Sequence, residues 1–548
     1  MNRKNRRFLY ALALVLAGCE VGPNYQPPKP NVRPSFSEIP TATQPSQVVA
    51  EPANPRKWWT TFHDDELNRL IDRAVAGNLD LQVAESRLRE ARLGAIIAGA
   101  RLSPDLNVDG GYNHARGSKN ITIPAGAFGG GGSSSAPKAP AAAPAVRTRG
   151  PQAADALVIT PASGSGGASS GGSAAIGAPA KGLGPLSPLG QGGLPGVTTD
   201  VYQVGFDSSW EIDVFGGLRR GVEAAQADVS AAQEDQRSVL VSLMAEVAQN
   251  YIELRGIQRQ DSIARENLGI QQDTLELTKS RYKNGFATQL DVARQTAEVA
   301  TTAARIPPLE YEAHQRIHAL GELLGKDPDE LETELADQQP IPPPPPTVPV
   351  GLPSDLLRRR PDIRRAERQI AGASARVGVA TADLFPKFEL TGMLGLDSTK
   401  PKNLFNYSSR YYSIVPGVTW PIFSAGRIES QIKVQDEEQQ QSILNYQETV
   451  LSALREVEDS LSAYRTEQLR QRSLAEAVTS SRQALELARQ QYQQGVTDFL
   501  TVLDTQRSLL TAQDSLALSD RAVSTDLVAL YKSLGGGWEE DQATTRPE

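Results

Sequence analysis

Few residues in this 548-residue chain are of types that make or break bonds, and their spacing decides what each could do. His314 and His318 lie four apart and would share one face of a helix, the spacing of a two-histidine metal site. The sequence brings neither a third ligand nor an HExxH glutamate beside them, so they read as a surface pair and no metal is expected. His63 and His114, the other two histidines, lie far away in sequence. Gly167-Ala168-Ser169-Ser170-Gly171 fits the nucleophile-elbow pattern, but it sits in low-complexity sequence with no strand before it or helix after it. No catalytic residue, cofactor or enzymatic activity is expected.

Cys19 is the reactive group with a supporting context. Arg3, Lys4, Arg6 and Arg7 form a basic start, Phe8 to Leu16 a short apolar run, and Leu16-Ala17-Gly18-Cys19 follows at once. This is a secretory signal, and Leu16-Ala17-Gly18-Cys19 resembles a bacterial lipobox, with Cys19 as the lipidated first residue of the mature chain. As the only cysteine it can form no intrachain disulfide. Removing residues 1–18 moves the formal net charge from −8 to −12, a poor balance for binding nucleic acid. After Cys19 no run of about 20 apolar residues occurs, so any membrane crossing must use a closed β-barrel.

The chain is internally duplicated. Asp80 through Gly110 aligns without a gap on Asp362 through Gly392; at a second, shorter offset Trp210 pairs with Trp420, Tyr282 with Tyr492, Gly285 with Gly495 and Gly325 with Gly535. Each half carries two segments of strand-like alternation. In the first half these are Leu106, Val108, Gly110 and Tyr112, then Val204, Phe206, Ser208, Trp210, Ile212 and Val214. In the second they are Phe388 to Leu396 and Tyr412 to Ile422. Their length and period suit transmembrane strands. Four strands cannot close a barrel, so two or three copies must share one, with 8 or 12 strands.

The remainder is helical. From Gly217 to Asn284 there is no proline, and Leu240, Val247, Leu254, Leu268, Leu275 and Tyr282 keep a seven-residue period interrupted by Asp261. Val450, Val457, Tyr464, Val478, Leu485 and Tyr492 repeat the phase, with Gln471 at the equivalent interruption. Such a repeat marks a supercoiled helix; about 65 residues at about 1.5 Å each give a rod of roughly 100 Å, which must project into water. Each rod ends at tyrosine followed three residues later by glycine, the pattern of a left-handed helix cap at a hairpin tip. Pro307-Pro308 should end or kink the helix after the first tip.

Cys19-Glu20-Val21-Gly22-Pro23-Asn24-Tyr25, Trp58-Trp59 with Phe62, Leu352-Pro353-Ser354-Asp355-Leu356-Leu357-Arg358-Arg359-Arg360-Pro361-Asp362-Ile363 and Leu534-Gly535-Gly536-Gly537-Trp538 together resemble the TolC-like, NodT-type outer-membrane efflux lipoproteins. The resemblance implies a mainly α protein with a small β part: a trimeric α-barrel tunnel in the periplasm joined to a shared 12-stranded barrel in the outer membrane. It implies a passive exit duct for small toxic compounds, fed by an inner-membrane RND-type transporter through a periplasmic adaptor, and anchored in outer-membrane lipid through Cys19. The alternatives are a duct for type I protein secretion and a non-channel coiled-coil scaffold or adhesin.

By the same resemblance, adaptor docking and opening fall at the hairpin tips, with Tyr282, Gly285, Tyr492 and Gly495. The family's two gate aspartates fall at Thr501 and Asp504, so one acid ring is matched and the other missing. The family's gate-linking arginine falls at Thr497.

The expected organisation is a signal at 1–18, a lipidated extended segment at 19–64, a first repeat at 65–339, a Pro-rich linker at 340–353, a second repeat at 354–538 and a tail at 539–548. Residues 115–200, rich in Gly, Ala, Ser and Pro, are expected to be a mostly disordered extracellular insertion in the first repeat.

Overall fold

The computed structural model describes residues 20–30, 32–37, 46–49, 55–116 and 197–538. Cys19, most of the insertion and the C-terminal tail lie outside the described residues. In chain order the elements are β1 (Gln47–Val49), α1 (Asp65–Gly77), α2 (Leu79–Ala100), β2 (Asp105–Arg116), β3 (Thr198–Ile212), α3 (Gly217–Lys283), α4 (Gln289–Ala303), α5 (Ile306–Leu323), α6 (Glu332–Leu335), β4 (Thr347–Pro349), α7 (Pro353–Arg359), α8 (Pro361–Ala382), β5 (Lys387–Ser398), β6 (Arg410–Thr419), α9 (Arg427–Gln493) and α10 (Phe499–Ser533). Helix dominates, with a smaller sheet part. The chain divides into a helical unit and a unit formed by residues 105–209 and 391–415.

In the helical unit α3 and α9 are 67 residues each, or about 100 Å at 1.5 Å per residue. Each starts at a left-handed glycine, Gly216 and Gly426, both with φ +79°. The duplication extends to single hydrogen bonds. The Trp210 indole donates to the Leu102 carbonyl at 2.9 Å, and Trp420 donates to Leu384 at 3.0 Å. Most heptad positions are buried, while Leu240 and Leu268 are half-buried and Tyr282 is exposed. Val247, Leu254, Val450, Val457, Tyr464, Val478, Leu485 and Tyr492 are buried. The polar interruptions are bonded: Asp261 accepts from Arg265 at 2.7 Å, and Gln471 donates to Asp520 at 2.7 Å. As the two prolines require, α4 stops at Ala303 and α5 begins with Pro307 and Pro308 in its first turn, where a missing N–H costs nothing.

The largest core lies where distant segments meet. Trp58 is 2% exposed and stacks on Tyr531 with ring centres 5.3 Å apart, beside Phe62, Met244, Tyr251 and Leu254. Next to it β1 pairs in parallel with β4, Val48 opposite Val348, tying the N-terminal segment to the extended linker. The family motifs make sense here as packing. Arg360, 7% exposed, donates to Asp362, Glu456 and the Ser533 carbonyl. Gly535 must be glycine: its φ is +71°, and a Cβ would stand 2.9 Å from the Arg360 side chain. The Trp538 indole donates to the Arg359 carbonyl at 3.0 Å and lies under the guanidinium groups of Arg237 and Arg364. Gly22 has φ +91°, with a Cβ position 2.5 Å from the Gly378 backbone.

The second unit is a sheet of order β2-β3-β5-β6. β2 and β3 are antiparallel, with Leu106 opposite Ser208, Val108 opposite Phe206 and Tyr112 opposite Tyr202. Those pairs put the apolar alternation of both strands on one face, where Leu106, Val108, Tyr112 and Phe206 are all at least half exposed. The other face is polar: Asn107 donates to Asp207 at 3.1 Å and Gln203 to the Tyr411 hydroxyl at 2.8 Å. β2 and β6 are the two edges, and within this chain neither has an outer neighbour among the described residues.

Two expectations need adjusting. The last alternating segment stops at Thr419, short of Ile422 and two residues before Pro421. The two ends of the 115–200 range are strand: β2 runs to Arg116, which pairs with Thr198 at the start of β3. Residues 117–196 of that range lie outside the described residues.

Candidate functional site

The two hairpin tips are built alike. At the end of α3 the Gly285 N–H bonds the Tyr282 carbonyl at 3.0 Å and the Phe286 N–H bonds Arg281 at 2.8 Å. At the end of α9 the Gly495 N–H bonds Tyr492 at 3.0 Å and Val496 bonds Gln491 at 2.9 Å. This pair of bonds is the Schellman closure. It needs a left-handed residue after the cap, which explains φ +79° at Gly285 and +77° at Gly495. The following helices start on side-chain caps. Thr288 and Asp291 form a reciprocal capping box, and Asp498 accepts from the Thr501 N–H at 3.0 Å and hydroxyl at 2.7 Å. Those two donors hold the Asp498 carboxyl below the usual carboxylate range.

The tips differ in what their tyrosines do. Tyr282 is 46% exposed. Tyr492 is 5% exposed, with its ring 5.7 Å from that of Phe499, in a small core with Val478, Leu485, Val502 and Leu503. Arg281 reaches across from the first hairpin: its guanidinium lies 4.5 Å from the Tyr492 ring centre and donates to the Tyr492 carbonyl at 3.1 Å. Burial pushes the Tyr492 phenol up, opposed by the Arg281 charge. Further from the tips the hairpins are joined by Arg507 with Glu298 at 2.7 Å, Arg305 with Asp514 at 3.1 Å and Asn267 with Gln513 at 2.9 Å.

Thr501 and Asp504 are both exposed, one turn apart on α10, while Val502 and Leu503 between them are buried. Arg507 follows one turn after Asp504, with its charge taken up by Glu298. Thr497 is half-buried in the turn between α9 and α10. The guanidinium that meets the second tip therefore comes from Arg281, which the sequence pattern did not single out because the contact spans two hairpins.

The fold also changes the reading of His314 and His318. Glu332 at the start of α6 brings a carboxylate oxygen within 3.1 Å of His314 Nδ1 and 3.7 Å of His318 Nε2. That carboxylate lies fourteen residues beyond His318, past the Pro328–Leu331 turn, and no short spacing pattern reveals the cluster.

The family model for outer membrane efflux proteins matches residues 165–326 and 352–536. The pyoverdine export outer membrane protein OpmQ of Pseudomonas putida is 31% identical over 537 residues, 98% of each chain. The cation efflux system protein CusC of Escherichia coli is 28% identical over 97% of this chain and 98% of its own. Among solved structures, the outer-membrane channel OprN superposes with a TM-score of 0.76 at 31% identity, covering 95% of this chain and all of that one. With its duplicated long-helix hairpins and small sheet, the chain belongs to the outer membrane efflux protein family.

Proposed function

We propose that three copies of this outer-membrane efflux protein form a passive duct, each contributing four strands to a 12-stranded barrel and its long helices to a periplasmic tunnel. The sheet carries this reading. It is open at both edges, apolar on one face and polar on the other, and an open edge cannot face lipid. In this arrangement β6 of one copy pairs with β2 of the next. Pro416 suits β6 to an edge role before assembly.

The duct takes small toxic compounds from an inner-membrane RND-type transporter through a periplasmic adaptor, which engages the tips around Tyr282, Gly285, Tyr492 and Gly495. Asp504 forms an acid ring near the tunnel entrance, with Thr501 in place of a second ring. Arg281 clasps the two tips of each chain together in the closed form. Cys19 carries the lipid anchor. Relatives named for pyoverdine export and for cation efflux support a duct that leaves substrate choice to the pump.

Cysteine pairs placed along β2 and β6 test the assembly. Oxidation of mature protein in outer-membrane vesicles is expected to give covalent dimers and closed trimers. Cross-links confined to single chains, or no adducts from any register, would overturn the shared barrel.

A further inference from the structure

We infer that His314, His318 and Glu332 form a binding site for a divalent transition-metal ion of the zinc, copper or nickel type. The histidines are four residues apart on α5, so the helix puts both imidazoles on one face. Gly325, with φ +64°, closes that helix, and the Lys326 N–H bonds the Gly321 carbonyl at 2.9 Å. The turn at Pro328–Leu331 then brings α6 back beside α5, with Glu332 at its first position. One oxygen of Glu332 faces Nδ1 of His314 and Nε2 of His318, and the three donor atoms all lie within 4.8 Å of one another.

Zinc holds nitrogen and oxygen ligands at about 2.0–2.2 Å, which sets tetrahedral donors about 3.3 Å apart. The 3.1 and 3.7 Å separations of the carboxylate from the imidazoles bracket that value, so small side-chain rotations bring the three donors onto one ion and leave the fourth position to water. The carboxylate is also available: among the described residues its ion-pair partners are the two histidines, and no lysine or arginine pairs with it. Two imidazoles and one carboxylate favour borderline metals over calcium or magnesium, which prefer all-oxygen shells. All three side chains are about half exposed, leaving a face open to water and to an entering ion. A bound ion ties α6 to α5 and pins the segment that leads to the linker.

The test is a zinc titration of tag-free, chelator-treated mature protein in detergent, read by competition with a fluorescent zinc chelator and by the thermal midpoint. One zinc per chain is expected, with a midpoint that rises with zinc. His314→Ala, His318→Ala and Glu332→Gln should each weaken binding at least ten-fold and abolish that rise, while His63→Asn binds as the parent does. Circular dichroism and oligomer size check that each variant is folded, as expected for half-exposed positions. Equal binding by the parent and the His314→Ala/His318→Ala double variant would overturn the site. So would displacement of zinc by equal concentrations of calcium or magnesium.

Discussion

The guanidinium of Arg281, at the end of the first long helix, lies over the ring of Tyr492, at the end of the second, with 4.5 Å to the ring centre and a 3.1 Å hydrogen bond to the Tyr492 carbonyl. Tyr282, the duplicate of Tyr492, is 46% exposed. A duplicated pair of tips has thus become one that clasps and one that is clasped. The aromatic and carbonyl contacts are together worth about 1–2 kcal/mol per chain.

Arg281→Ala removes that clasp and leaves the apolar side chains around Tyr492 unchanged. Each lost clasp shifts the opening equilibrium roughly 5–30-fold, so a trimer of variant chains is expected to show at least that shift in planar bilayers. Arg281→Lys, which keeps the charge but not the planar fork, should fall between variant and parent. Unchanged gating in both would remove Arg281 from the closed state.

In the proposed trimer, three copies of Asp504 around the axis would attract cations and repel anions, and Arg507 would offset little of this because Glu298 holds it. The cation-to-anion permeability ratio should drop several-fold in Asp504→Ala. Thr501→Asp, which supplies the missing second acid, should raise it. Reversal potentials in a salt gradient measure both.

Stability should rise on mild acidification. Burial pushes the Asp526 carboxyl up to about 6, with a further push from Glu467, and burial also raises Asp514 and Asp520. A carboxyl whose folded pKa lies above its unfolded value near 3.8 binds its proton more tightly when folded. Between those values the folded state holds more protons, so stability grows as pH falls from 7 through 6 toward 4. Thermal midpoints of the parent should climb over that window; Asp526→Asn should start higher at pH 7 and climb less.

Trp58→Ala empties the stack against Tyr531 in the largest core and is expected to cost about 3–5 kcal/mol. Gly535→Ala forces a left-handed φ and a contact with Arg360. Both should lower the thermal midpoint by several degrees and reduce trimer yield, while a surface change such as Glu276→Gln leaves it in place.

Much of this was legible in the sequence because it is local or periodic. Residue alternation located four strands, and the seven-residue period located two 67-residue helices, with the seam of the second buried throughout and that of the first buried in part. Tyrosine-to-glycine spacing located both Schellman turns. What escaped were pairings between distant segments. Arg281 meets Tyr492 across two hairpins, Glu332 meets the histidines after a chain reversal, and Arg360 meets Gly535 although 175 positions separate them. The divergence of Tyr282 from Tyr492 escaped for the same reason. A repeat fixes equivalent backbone positions, while burial depends on what packs opposite each copy.

Single-channel recording of purified, lipidated trimers, with Arg281→Ala beside the parent, tests the gated duct most directly. A gated duct gives cation-selective channels of uniform conductance that are mostly shut in the parent and mostly open in the variant. Folded trimers of both proteins that insert into the bilayer and never conduct would contradict it.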